Sequence, residues 1–257
     1  AFHTAMQGRP GPVVLALPED MLTTLTAQPV LPKAQPAQSV PTPEALAMMR
    51  TLLAQAERPL VIVGGPLWTA TSARGLQTFA ERWQLPVACG FRFQDTFDNR
   101  HPQYAGDVGI GINPKLAERV HKADVILALG VRLGEMTTGG YTLLQAPQPE
   151  QRLIHWHAGA EELGRVYRAE LLMQGSMACA GALLAELEPP PAIVWSDWTR
   201  NARADYEANR AHESVAPMDM ADVVKTIHRL APPHTVYTNG AGNFSAWLHR
   251  YTPYPAL

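Results

Sequence analysis

This chain of 257 residues has no apolar run approaching the ~18 residues that a membrane-crossing helix needs, and no signal-peptide pattern at its start. Cysteine is scarce too. Cys89 and Cys179 are too few for a disulfide framework and lack metal-ligand spacing, so both read as reduced packing residues. Charge is sparse and balanced, at 17% charged residues and a formal net charge of -2. No basic stripe marks a nucleic-acid partner, and no cationic amphipathic helix marks a membrane surface. The dinucleotide fingerprint is missing as well. Gly64-Gly65 is not followed by the remaining spaced glycine, and the next strand ends in Cys89-Gly90 rather than in an acid able to hold a ribose. These absences argue against a membrane protein, a nucleic-acid binder and a nicotinamide dehydrogenase, and they point to a soluble, cytoplasmic chain.

Proline, with 23 residues, is plentiful and marks the joints. Pro29, Pro32, Pro36, Pro41 and Pro43 make residues 23–43 an extended linker, and Pro189-Pro190-Pro191 opens a second over 189–216. Between them, 44–188 has about the usual size of a single core. Residues 1–22 read as the end of another unit: a helical remnant, Gly8-Arg9-Pro10-Gly11-Pro12, then a strand over 13–17 that stops at Pro18. Residues 217–257 read as the start of a third. There Met220, Val223, Val224 and Ile227 give an amphipathic helix, and 235–238 is an expected strand.

Within the middle unit, strands and helices alternate. Thr42-Pro43-Glu44 carries a capping side chain, a proline at the first helical position and an acid in the first turn. Strands are expected over 60–63, 87–88, 125–129, 153–157 and 171–173. The run Val125-Ile126-Leu127-Ala128-Leu129 suits a strand covered on both faces. Helices fall around 76–83, 113–122 and 183–187. The expected fold is therefore α/β, a doubly wound parallel sheet with helices on both faces, flanked by partial α/β domains.

Ligands of such sheets bind beyond the carboxyl ends of the strands. Those ends carry Gly64-Gly65, Gly90-Phe91-Arg92, Gly106 to Gly111, Gly130-Val131-Arg132 and His157-Ala158-Gly159. Glycine lets backbone amides approach a phosphate, and Arg132 is a planar cation; βα turns also favour glycine for their own geometry. His155 and His157 alternate along one strand, so they could share a metal, although no third ligand is evident and hydrogen-bonded structure is the commoner use. Asp95, Asp98 and Asp107 lie in one expected loop and read as solvated. The six tryptophans read as packing residues.

In order and spacing, these segments resemble the thiamine diphosphate-dependent enzymes of the acetolactate synthase, benzoylformate decarboxylase and glyoxylate carboligase group. The resemblance is carried by Gly8-Arg9-Pro10-Gly11-Pro12-Val13, Arg58-Pro59 through Gly65, Leu85-Pro86-Val87, His101-Pro102, Ala123-Asp124 through Arg132, and Ile154-His155 through Gly164. It implies that 1–22 closes a pyrimidine-binding domain, 44–188 is the central domain, and 217–257 opens the diphosphate-binding domain. It further implies thiamine diphosphate with Mg2+, a 2-oxo acid substrate, decarboxylase or carboligase chemistry (a lyase or transferase), and a homodimer or homotetramer. The family's activating glutamate belongs upstream of Ala1 and its metal motif downstream of Leu257, so no catalytic residue and no metal ligand is assigned within this chain.

Relatives hold FAD, ADP or nothing in the central domain. The matching contact positions are Gly64, Gly65, Gly90, Phe91, Gly109, Gly130 and Arg132, with His157 and Ser176 standing where nucleotide binders often carry acids. The missing carboxylates argue against tight FAD binding. In the third unit, Gly242 and Asn243 fall in a glycine-rich turn like the one that meets the diphosphate, with its glycines shifted by one residue from the synthase pattern, which argues against a plain acetolactate synthase. Two other readings are a scaffold domain with a vestigial nucleotide site and an NAD-using deacylase-like domain.

Overall fold

The computed structural model describes residues 1–211, 214–215, 217–232 and 235–257. His212, Glu213 and Ala216, in the second expected linker, and Pro233 and His234, in the third unit, lie outside the described residues.

The chain opens with a short helix, α1 (Phe2–Met6), and then runs without regular helix or strand, apart from one 3-10 turn, to residue 42. At Thr42 the side chain accepts from the Ala45 N–H and starts α2 (Pro43–Ala54), with proline in the first turn where its missing N–H costs nothing. There follow β1 (Pro59–Val63), α3 (Ala70–Trp83), β2 (Val87–Gly90), β3 (Tyr104–Val108), α4 (Pro114–Lys122), β4 (Val125–Leu129), β5 (Arg152–His157), β6 (Leu171–Gln174) and α5 (Met177–Glu186). After these come α6 (Ser196–Arg210), α7 (Met220–Leu230) and α8 (Ser245–Tyr251).

The six strands form one sheet in the order β3-β2-β1-β4-β5-β6, and every pairing is parallel. The direction of winding reverses between β1 and β4, which fixes the topological switch point there. Alternate residues feed two cores. Val61, Val63, Leu127, Leu129, Ile154 and Trp156 pack with α2, α3 and α5, whereas Leu60, Ile62, Ile126, Ala128 and Leu153 pack with Leu116 and Val120 of α4. Both faces are covered, as the unbroken apolar run of β4 requires. At the β6 edge the pattern changes to alternation, with Leu171 and Met173 buried and Leu172 and Gln174 exposed.

Helices α3 and α5 meet at glycines. A Cβ on Gly75 would lie 2.8 Å from the Gly181 Cα, and one on Gly181 would lie 2.5 Å from the Ser72 Cα. Ser72 also bonds across the crossing. Its hydroxyl accepts from the Gly181 N–H at 3.0 Å and donates to the Met177 carbonyl.

Four local expectations differ from the structure. Residues 104–108 form β3 rather than a loop: Gly106 and Asp107 are poor strand formers, and pairing with β2 overrides them. The stretch opened by three prolines, expected as linker over 189–216, holds the fifteen-residue α6. Two indole N–H groups fasten it, Trp195 to the Trp83 carbonyl (2.9 Å) and Trp198 to the Pro59 carbonyl (2.8 Å), while Trp83 itself donates to the Leu187 carbonyl (3.0 Å) just ahead of the stretch. Residues 13–17 and 235–238 are not strands, because neither apolar run meets a partner strand among the described residues. No helix among the described residues is long and apolar enough to cross a membrane.

Candidate functional site

The glycines at the switch point are brought together and packed over. A Cβ on Gly64 would meet the Phe93 ring at 3.2 Å, one on Gly90 the Val131 side chain at 3.0 Å, and one on Gly130 the Met177 side chain at 2.6 Å. Gly65, at φ +77°, lies directly against the Gly130 backbone, which stands at φ +67°. These residues are glycine because two βα turns cross with no room for a side chain. Phe93, Val131 and Met177 occupy the space where a nucleotide's phosphates would approach.

Arg132 and its neighbours are committed elsewhere. Glu162, only 3% exposed at its side chain, receives Arg9 Nη1 at 2.8 Å, Arg132 Nε at 3.2 Å and Arg165 Nη1 at 3.3 Å. The cavity beside this cluster, lined in part by Tyr141, His155 and Tyr167, is about 50 Å3. Adenosine-sized ligands need pockets of roughly 300 Å3 or more. His157 is buried, with Nδ1 accepting from the Gly159 N–H at 3.0 Å. Ser176 caps α5 through its hydroxyl, which accepts from the Ala178 N–H at 3.3 Å. No carboxylate stands at either position. The residues present therefore do not fit FAD or ADP at the switch point.

The metal idea at His155 and His157 also ends in hydrogen bonds. Their ring centroids are 6.0 Å apart, and His155 Nε2 donates to the Val131 carbonyl at 3.0 Å. Burial drives the His155 pKa down to about 4, so the ring is neutral. Among the described residues no three His, Cys, Asp or Glu side chains gather as metal ligands.

A larger opening lies elsewhere, between the turn after β2 and the C-terminal segment. This cleft of about 880 Å3 is lined by Phe91, Arg92 and Gln94 on one side and by residues 239–243, Trp247 and His249 on the other. Phe91 presents its ring edge to His249, with centroids 5.5 Å apart. Gly109, at φ +123°, passes within 2.8 Å of the Phe91 Cβ by the same measure of an added carbon, so a side chain there would displace Phe91. Burial, and then the charge of Arg92, hold the His249 imidazole below its ordinary pKa. Of the eleven residues singled out from sequence, Phe91, Gly242 and Asn243 line this cleft, and Gly109 supports it.

The sequence reading missed Glu162, Gln94, Asp107 and His249 as site residues. Asp107 sits near the end of β3, mostly buried, not in a solvated loop. Burial pushes its carboxyl up to about 7, against the pull of the neighbouring Gln94 side chain. Unfolded, such a group ionises near 3.8. Between these values the folded chain keeps a proton that the unfolded chain has lost, so stability falls as pH rises through that window and stays low above it. Asp107→Asn is expected to match the parent near pH ~4 and to exceed it by a few kcal/mol near pH ~8 in urea unfolding. An offset that is the same at both pH values would contradict this assignment.

Comparison with known proteins gives a consistent answer. Residues 46–187 match the model of the thiamine pyrophosphate enzyme central domain. The chain is 25% identical over 266 residues to the acetolactate synthase of Mycobacterium leprae (strain TN), which covers 99% of this chain and 42% of that protein. It is 25% identical to the isozyme 2 large subunit of acetolactate synthase from Escherichia coli (strain K12), covering 98% and 45%, and 28% identical to the isozyme 3 large subunit, covering 99% and 46%. The chain thus spans under half the length of the relatives it matches. They favour neither the free-standing scaffold nor the NAD-using deacylase.

Proposed function

The chain belongs to the thiamine pyrophosphate enzyme family, and from that membership we propose that it is the middle portion of a thiamine diphosphate-dependent 2-oxo acid decarboxylase or carboligase of the acetolactate synthase type. The observation that carries this reading is the cleft in which the central domain meets the glycine-rich segment 239–243. Its volume lies in the range of cofactor and substrate sites.

Thiamine diphosphate fits this wall. Gly240 and Gly242 bring backbone close to the opening, and the Asn243 side chain offers a neutral donor to a diphosphate. When bound, the cofactor supplies the nucleophilic carbon and the electron sink for cleaving the bond next to a 2-oxo group. This chain's own residues bind and orient. His249 stands neutral beside Phe91, able to accept a hydrogen bond at one ring nitrogen and donate one at the other without adding charge, and Trp247 and Phe91 present apolar surface to the cleft. No residue of this chain is assigned the activating or metal-holding role. Mg2+, a homodimeric or homotetrameric assembly and a cytoplasmic setting complete the proposal.

The test uses the full-length polypeptide that carries this sequence, supplied with thiamine diphosphate and Mg2+. It is expected to release carbon dioxide from a 2-oxo acid such as pyruvate only when the cofactor is present. On denaturation, mass spectrometry should find thiamine diphosphate and no FAD. Absence of turnover across a panel of 2-oxo acids, with the cofactor shown to be bound, would sink the proposal, and recovered FAD would overturn the filled switch point.

A further inference from the structure

The turn after β2 brings two donors to the cleft, Arg92 and Gln94, and among the described residues neither side chain makes a hydrogen bond of ordinary geometry from its donor nitrogens. Among the described residues Arg92 is one of four non-glycine residues with positive φ, at +68°, a conformation that persists only where surrounding structure enforces it. The turn is closed by the Phe93 N–H donating to the Gly90 carbonyl at 2.9 Å, and the guanidinium stacks 5.2 Å from the Phe91 ring centroid. Among the described residues Arg92 makes no ion pair, unlike Arg132, which lies just past the switch-point strand β4 and is held by Glu162. Two residues on, Gln94 is only 6% exposed. Its Nε2 is buried without a hydrogen-bond partner. A buried amide N–H left unmade is costly, which marks a site where an acceptor belongs.

We propose that Arg92 and Gln94 together bind the carboxylate of the 2-oxo acid in this cleft, and so set the enzyme's preference for acids over neutral carbonyl compounds. This rests on the function proposed above. A planar guanidinium and a neighbouring amide donor match the two oxygens of a carboxylate. The surroundings agree with one anion. His249 supplies no second cation, and Asp95, the acidic side chain among the lining residues, is exposed and screened by water. Asp107 lies beside Gln94 and feels its side chain, yet Nε2 makes no hydrogen bond of ordinary geometry to it or to any other described group.

A diphosphate oxygen presents the same chemistry, so the experiment separates the two. In the full-length enzyme, Arg92→Met is expected to raise KM for the 2-oxo acid ten- to hundredfold, with kcat changed less than about threefold and thiamine diphosphate affinity unchanged. Arg92→Gly, which the positive φ accommodates, should do the same and guards against a folding artefact. Gln94→Met should raise KM several-fold, and Arg92→Lys should recover part of the loss. Unchanged KM in the arginine variants overturns the proposal, as does a loss confined to cofactor affinity. Should the parent enzyme turn over no 2-oxo acid, the functional reading fails separately, and pyruvate binding by NMR line broadening then decides the pair. Binding abolished in Arg92→Met and Arg92→Gly supports it; binding undiminished there, or absent in the parent, overturns it.

Discussion

Gly181→Ala is expected to lose roughly 2–4 kcal/mol of stability in urea unfolding, although alanine is the better helix former by about 1 kcal/mol. The sign is decided by the crossing of α3 and α5. An added methyl would sit 2.5 Å from the Ser72 Cα and 2.7 Å from its carbonyl carbon, and backbone atoms cannot rotate away as a side-chain tip can. To admit it, α5 must lift off α3, which breaks the bonds of the Ser72 hydroxyl to Gly181 and Met177 and opens voids around Leu76, Ala180 and Leu184. Gly75→Ala meets the reciprocal obstruction, so the double variant should cost less than the sum of the two. A Gly181→Ala protein as stable as its parent would show that the helices have slack at this contact.

A chain ending at Glu188 is expected to lose cooperative unfolding, even though it retains all six strands. The helix beyond that point is structural. Trp195 is 1% exposed and donates to the Trp83 carbonyl, Tyr206 meets Tyr104 of β3 edge-on at 4.9 Å, and Arg203 Nη1 donates to the carbonyls of Asn99 and His101 at 2.8 and 2.9 Å. Arg119 of α4 adds an ion pair to Asp205 at 2.5 Å while lying 4.2 Å from the centre of the Trp198 ring. Truncation exposes Trp83, Tyr104 and the edge of β3 together. The point substitution Trp195→Ala, which leaves a cavity in the same place, should cost ~3–5 kcal/mol. A truncated chain that melts sharply, within a few degrees of the longer one, would restore the view of 189–216 as mere connection.

That boundary shows where sequence and structure part. The apolar runs of β1, β4 and β5 were legible because strands covered on both faces must be apolar throughout, and α2 and α4 were legible from caps and first-turn prolines. Helix α6 was hidden by its neighbours: three prolines precede it, and its fifteen residues are mostly polar because only one narrow face touches the sheet edge. β3 was hidden for the opposite reason, since Gly106 and Asp107 read as turn residues and only tertiary pairing makes them strand.

The candidate site divides in the same way. Glycine at the strand ends was visible, but whether a glycine admits a ligand or another backbone depends on which side chains cross above it, and Phe93, Val131 and Met177 arrive from three different turns. Arg132 looked free because its partner, Glu162, lies thirty positions away and shares its oxygens with Arg9 and Arg165. Gln94 carried no signal at all. An unpaired buried amide is a property of packing, and no local pattern encodes it.

The position of α6 also bears on how the chain is born. It seals the edge strand β3, yet it leaves the ribosome about a hundred residues after that strand. At ~5–20 residues per second, β3 therefore waits on the order of 5–20 s with its hydrogen-bonding edge and Tyr104 bare. During that interval the nascent sheet is a template for the wrong neighbour, and in a crowded polysome the nearest wrong neighbour is another copy of itself.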